Sequence, residues 1–226
     1  VKLRRSGRIP YAWIADMSRR GYFVSTFSDA GDFIARMAGL YRADLWADAD
    51  YRCEVWCESR SIASVIQNDC DRLAVDLYPC GGFSSLSFVH SAAEQHNRLG
   101  DYRPLVIFYI GDYDPAGVLI DQSLERELRL HLDFSIDMSF NRIAINEKQI
   151  IEHDLPTKPR KSGDVRSRHI SVTVEAEAMP AHLLRELLMH NIESLLPPGA
   201  LYAATIAEKS EREGLKALAK KLGGAQ

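Results

Sequence analysis

The segment PLVIFYIGDYDPAG, residues 104 to 117, constrains the fold more than any other part of the chain. Leu105 to Ile110 is an unbroken apolar run, rich in β-branched and aromatic residues. It reads as a strand buried on both faces, and such strands belong to parallel sheets covered by helices on each side. The run ends at Gly111 and releases Asp112 and Asp114 just past the strand's C-terminal end, where open parallel sheets bind their ligands. Alternate residues of an extended segment point the same way, so both carboxylates can face one hard, oxygen-seeking cation such as Mg²⁺. Asp114 has a second reading, as the N-cap of a helix that Pro115 opens. That reading leaves Asp112 as a charge at the edge of a buried strand, which costs free energy unless it is paired or metal-bound.

The rest of the chain fits an α/β domain with a central, mainly parallel sheet of about four to five strands flanked by helices. Further strands are expected at Tyr51–Cys57, Ala74–Tyr78, Arg142–Ile145 and His169–Glu175. Apolar residues spaced three and four apart predict helices over Ser61–Leu73, Ser84–Leu99, Ala116–Leu130 and Ala181–Leu195. A last, highly charged helix is expected near Ala203–Leu222. With 226 residues, 46% of them hydrophobic, the chain can bury a core without staples. Residues 1–49 read as the remnant of an N-terminal helical module, residues 50–200 as the sheet domain and 201–226 as a C-terminal helix. The opening VKLRRSGRIPYAWI reads as a start in mid-domain, which predicts a missing N-terminal domain of the same chain.

Composition narrows the setting. A formal charge of −3 argues against gripping nucleic acid by bulk electrostatics, so any such contact must be local. No apolar run is long enough to cross a bilayer, and no secretory leader is recognisable. The four cysteines, Cys53, Cys57, Cys70 and Cys80, are few for the length, and a reducing cytoplasmic location is expected. Cys53 and Cys57 on one strand lie about 13 Å apart, too far to share a zinc ion. His182 and His190 are better explained by helix packing than by metal binding.

Two other segments converge on the acidic turn. YRCEVWCES, residues 51 to 59, is a strand ending in Glu58. If it lies beside Leu105–Gly111, Glu58 emerges at the same edge as the aspartates; its other reading is a carboxylate beside a helix dipole. Glu54, on the same strand face but deeper, reads as a structural or pairing residue. YPCGGFSSLSF, residues 78 to 88, offers a tight turn at Gly81 and Gly82, with Ser84 or Ser85 available to cap a helix whose start can hold a phosphate. The polar loop TKPRKSGDVRSRH, residues 157 to 169, concentrates Lys158, Arg160, Lys161, Arg166 and Arg168. It reads either as a solvated connector or as a phosphate-contacting loop.

Glu58 after one strand, the glycine turn at Gly81–Gly82 after a second and GDYDPAG after a third together resemble the Toprim domain shared by topoisomerases, primases and some nucleases. The likeness covers residues 50 to 200. It extends to the Toprim part of type IIB topoisomerase A subunits, meiotic break enzymes and bacterial or phage defence nucleases, where a DxDPxG turn and a later acidic strand leading to a helix recur. The matching stretch here is VTVEAEAMPAHLL, from residue 172.

The resemblance implies a Rossmann-like Toprim fold and cleavage of DNA phosphodiester bonds assisted by Mg²⁺ (or Mn²⁺). Glu58 would be the general acid/base, and Asp112 and Asp114 the metal-holding pair, with Glu58 near the same ion. Two departures stand out. Ser59 occupies the position where many relatives carry Lys, and no winged-helix tyrosine motif is recognisable, with neither Tyr11 nor Tyr22 in a persuasive context. Hydrolysis and covalent transesterification therefore both stay open, as do DNA against RNA and a homodimer or partner subunit. The competing reading is a non-catalytic nucleic-acid-binding or assembly subunit with a metal-binding acidic edge. A phosphatase of the haloacid dehalogenase type shares only the DxD, and GGFSS lacks the second glycine of a nucleophile elbow.

Overall fold

The computed structural model describes residues 2–8, 24–81, 86–160 and 170–223. Four parallel strands form its central sheet: β1 (Arg52–Cys57), β2 (Asp76–Pro79), β3 (Leu105–Ile110) and β4 (Met138–Ala144), in the order β2-β1-β3-β4. All six residues of β3 are buried, as an uninterrupted apolar strand in a covered sheet requires. In chain order the helices are α1 (Lys2–Arg5), α2 (Ala30–Met37), α3 (Arg60–Arg72), α4 (Leu86–Leu99), α5 (Gly117–His131), α6 (Glu147–Glu152), α7 (Ala181–Glu193) and α8 (Ala200–Gly223).

Side-chain alternation sorts the core into two layers. Val55, Cys57, Val106, Phe108 and Ile110 pack with apolar residues of α3, α6 and α7 on one face. Trp56, Leu105, Ile107 and Tyr109 pack with α4 and α5 on the other. Each fully buried aliphatic or aromatic side chain contributes about 1.5–3 kcal/mol, so the two-sided burial of β3 makes it the anchor of the fold. The chain leaves β1 through α3 to reach β2, then returns through α4 on the opposite face to reach β3 on the far side of β1. Strand order reverses between β1 and β3.

Several expectations shift. β4 begins at Met138 rather than Arg142, because Met138 and Phe140 face the core while Ser139 and Asn141 alternate with them toward solvent and dilute the apolar signal. β2 starts at Asp76 rather than Ala74, since Ala74 adopts a left-handed φ of 51° that belongs to the turn after α3. The expected strand at His169–Glu175 does not join the parallel sheet. Only Val172–Thr173 (β6) is a strand, paired antiparallel with Lys158–Pro159 (β5), two residues expected in a loop. Val174 instead bridges to Tyr113, so this segment is committed to the acidic turn rather than to a sheet edge.

Glu54 is buried on β1 and paired. Its Oε1 lies 2.6 Å from His96 Nε2, and its Oε2 accepts from Trp56 Nε1 at 2.8 Å. This ties the base of the sheet to α4, as a buried carboxyl group requires. On the other face Arg185 of α7 grips the buried Asp69 of α3 through two hydrogen bonds of 2.6 and 2.9 Å.

The chain divides into two compact units, Val1–Ala43 with Thr205–Gln226, and Asp44–Ala204. Residues 44–49 belong with the sheet because Arg103 donates to the carbonyls of Trp46 and Ala49 and Trp46 Nε1 donates to the carbonyl of Leu73. Within the smaller unit, Gly31 of α2 lies so close to the backbone of α8 that an added Cβ would come within 2.7 Å of Gly223 N. Arg42 and Glu208 form an ion pair there at 2.9 Å.

Candidate functional site

The site lies where strand order reverses, between the C-terminal ends of β1 and β3, the crevice in which open α/β sheets hold ligands. Register decides what meets there. Cys57 pairs with Ile110, so the next residue, Glu58, runs alongside the exit of β3, and its amide donates to the Ile110 carbonyl at 2.9 Å. The Glu58 side chain reaches across the crevice, and its Oε2 accepts the Asp112 amide at 3.0 Å. The Gly81 amide in turn donates to the Glu58 carbonyl at 2.9 Å, with Gly81 at a left-handed φ of 67°. Gly81 therefore packs its turn against Glu58, while Gly82 and Ser84 lie outside the described residues.

The two aspartates use their oxygens differently. Asp114 Oδ1 accepts from the amides of Ala116 and Gly117 at 2.8 and 2.5 Å, so it closes the turn leading into α5, whose N-cap is Ala116 rather than Asp114. Asp112 Oδ1 accepts from the Ala176 amide at 2.8 Å. Each carboxylate keeps its second oxygen without a hydrogen bond among the described residues. The glycines flanking the pair are sterically required. A Cβ at Gly117 would collide with the Asp112 carbonyl, and one at Gly111 would come within 2.6–2.8 Å of the Tyr109 ring and hydroxyl.

Residues that sequence reasoning passed over complete the rim. Glu177 sits in a 3-10 turn, Ala176–Ala178, and its Oε1 accepts from Ser59 Oγ at 2.8 Å and from Ser61 Oγ. Ser59 also caps α3 by accepting from the Ile62 amide at 3.1 Å, so one serine both caps a helix and bonds a carboxylate. The alternation of Glu175 and Glu177 in VEAEAMP is a sequence signal that could have brought Glu177 in. Arg142 of β4 gave no such signal, because nothing local marks an arginine inside a strand as facing a distant turn. Its Nε donates to Asp121 Oδ2 at 2.6 Å, and its Nη atoms donate to the carbonyls of Gly111, Asp112, Ile145 and Gly117 at 2.8–3.2 Å.

Electrostatics follow from this crowding. Burial pushes the Glu58 carboxyl up to about 7; the Asp112 amide opposes that, the Asp112 and Asp114 carboxylates reinforce it, and Arg142 lowers it. Asp112 is also raised, first by burial and then by Glu177, Asp114 and Glu175, against the pull of the Ala176 amide. Glu177 moves the other way: burial raises it, but the Ser61 and Ser59 hydroxyls outweigh burial and leave it below the ordinary carboxylate range. The thiols of half-buried Cys53 and buried Cys57 are pushed far above their ordinary range by loss of solvent, so neither is a ready nucleophile.

The basic residues are only partly accounted for. Lys158 Nζ forms a 2.6 Å ion pair with Glu175 Oε1, and Arg160 donates to the Ile170 carbonyl at 3.2 Å. Lys161, Arg166, Arg168, Tyr11 and Tyr22 lie outside the described residues. Among the described residues, no group of three or more histidine, cysteine or acidic side chains is arranged to hold a metal ion. The donors that do converge are hard carboxylate oxygens, two of them without hydrogen bonds. That set suits a cation such as Mg²⁺, which takes one or two protein carboxylates and fills its octahedron with water and phosphate oxygens. No protein-family model and no curated protein matches the chain.

Proposed function

We propose that the chain is a Mg²⁺-dependent module of Toprim type that cleaves phosphodiester bonds in DNA. The observation that carries this reading is the Glu58 carboxylate, seated on the Asp112 amide at the crevice where the order of the parallel strands reverses. Asp112 and Asp114 would hold the ion through their free oxygens, with Glu58 beside them. When bound, the ion supplies positive charge against the phosphate and the charge that develops on it. Glu58, brought to about 7, holds or releases a proton near neutral pH, the property a general acid/base needs to serve an attacking or leaving oxygen. Lys158, Arg160, Lys161 and Arg166 supply local cations for the DNA backbone, and a substrate phosphate competes with Glu175 for Lys158.

One observation favours the second reading, a non-catalytic nucleic-acid-binding or assembly subunit: the described acids do not form a pre-assembled metal shell of three ligands. Cleavage separates the two. Supercoiled plasmid is incubated with Mg²⁺ and the protein, alongside Glu58→Gln and Asp112→Asn variants. The cleavage reading expects conversion by the parent chain and a loss of at least about 10²-fold in each variant. Binding without conversion supports the second reading, and equal conversion by all three rejects the assignment of these residues.

A further inference from the structure

The acidic turn bends sharply between β3 and α5, and three of its amides, those of Asp112, Ala116 and Gly117, are committed to carboxylate oxygens of Glu58 and Asp114. On its carbonyl side, backbone amides hold Gly111 (from Ile145, 2.9 Å) and Tyr113 (from Val174, 2.9 Å), and one guanidinium gathers the carbonyls at both ends of the turn. Arg142 lies on β4, where the register against β3 slips between Tyr109 and Ile110 so that Tyr109 faces Arg142 and Ile110 faces Ala144. Bulges of this kind re-aim a side chain and are common beside active sites. Arg142 itself follows Met138 and Phe140 at two-residue spacing and so shares their α5 face, with its guanidinium 5.1 Å from the centre of the Tyr109 ring. From there Nη1 serves the carbonyls of Gly111, Asp112 and Ile145, Nη2 serves Gly117, and Nε is fixed by Asp121 of α5.

We infer that Arg142 is the positioning residue of the acidic turn, clamping the exit of β3 to the entry of α5 so that Asp112 and Asp114 present their free oxygens to a cation together. Gly111 and Gly117 are the two ends that must be joined, and both lack a Cβ because the backbone there is crowded against Tyr109 and Asp112. The Arg142 and Asp121 side chains are only 15% and 13% exposed, so water competes weakly for these bonds. Lysine cannot substitute: it carries the charge but not the planar fork that meets four carbonyls and a carboxylate at once. Arg142 touches neither a reacting atom nor a metal-holding oxygen; it acts through the backbone those oxygens hang from.

The inference rests on the metal-holding role proposed for Asp112 and Asp114, and its test has a part that does not. Amide hydrogen exchange is measured on the metal-free full chain for the parent, Arg142→Lys and Asp121→Asn, the last keeping the arginine but removing its anchor. Mn²⁺ affinity of the same proteins is then measured by calorimetry. The expected result is exchange at Asp112, Ala116 and Gly117 at least about tenfold faster in Arg142→Lys, with smaller acceleration in Asp121→Asn and little change in β1 or α7. Mn²⁺ affinity falls about 10-fold or more in Arg142→Lys, as for other residues that orient metal ligands. Unchanged exchange at these three amides overturns the inference, and so does acceleration spread evenly over the sheet, which marks a merely structural residue. If Arg142→Lys does not fold, the Asp121→Asn comparison decides on the same criteria. A parent chain that binds no Mn²⁺ refutes the proposed function, while the exchange data still decide whether Arg142 holds the turn.

Discussion

Glu58 is the residue at the rim whose carboxyl is pushed toward neutrality, up to about 7, and on which the proposed chemistry depends. Its pKa rises from about 4.5 in the unfolded chain to about 7 in the folded one, so the folded state binds more protons between those values. Stability from this group is therefore fully present below about pH 4.5 and is lost as pH rises through about 7. The carboxyl is partly open to water, which screens its interactions, so the loss amounts to about 1–2 kcal/mol. Urea denaturation at pH 5 and pH 8 checks this: Glu58→Gln is expected to be the more stable protein at pH 8 by about that amount, with the difference vanishing near pH 5. Under the proposed function the same substitution also removes the acid/base group, so gain in stability and loss of cleavage are expected to travel together.

At this scale, what could be read from the chain depended on how local the signal was. Glu58, Asp112 and Asp114 stand at strand ends and announce themselves by position. Glu177 reaches the rim by folding back against Ser59 and Ser61, 116 to 118 residues away in sequence; the alternation with Glu175 marks it as a candidate but does not encode that partner. Asp114 is not the N-cap that its place before Pro115 suggests, because α5 starts at Gly117 with Ala116 as its cap; its Oδ1 closes the preceding turn instead.

Among the elements, the entry to α5 carries the sharpest steric demand. Gly117→Ala forces a Cβ onto the Asp112 carbonyl and is expected to cost about 1–3 kcal/mol and to weaken Mn²⁺ binding. Gly214→Ala is the control: it lies exposed in α8 with open space around it, and is expected to stabilise by about 0.5–1 kcal/mol. Thermal or urea denaturation of the two variants gives opposite signs if the crowding at Gly117 is as described. The link between β1 and α4 gives a second prediction. His96→Ala deprives the buried Glu54 carboxyl of its 2.6 Å partner, which is expected to cost about 3–5 kcal/mol without a register change in the sheet, as amide exchange of β1 and β3 would report.

Elements were legible in proportion to their apolar contrast. β3 and the helices packed on it follow directly from runs and spacings, because both faces are buried or one stripe is. β4, an edge strand carrying Ser139 and Asn141, hides its first half. Residues 172–174 looked like a sheet strand because Val172 and Val174 alternate with Thr173; what diverts them is the hydrogen-bond pair between Val174 and Tyr113, a tertiary choice with no local signature.

For the whole molecule, the order β2-β1-β3-β4 gathers acids from two strand ends and a distant turn into one crevice, and among the described residues no helix is long and apolar enough to cross a membrane. With a net charge of −3, DNA binding should depend on few phosphate contacts. Under the proposed function, four phosphate contacts from Lys158, Arg160, Lys161 and Arg166 are expected to give a salt dependence of log affinity with slope about −4. Glu175→Gln, which releases Lys158 from its ion pair, is expected to tighten DNA binding about threefold at low salt, an effect fading at high salt. A fluorescence titration across salt concentrations measures both.

The most direct measurement is anomalous diffraction from crystals of the chain soaked in Mn²⁺. One peak within coordination distance of Asp112 and Asp114, with the Glu58 carboxylate at the same rim, is the expected result. Mn²⁺ bound only elsewhere on the molecule, with this crevice empty at saturating concentration, would contradict the account.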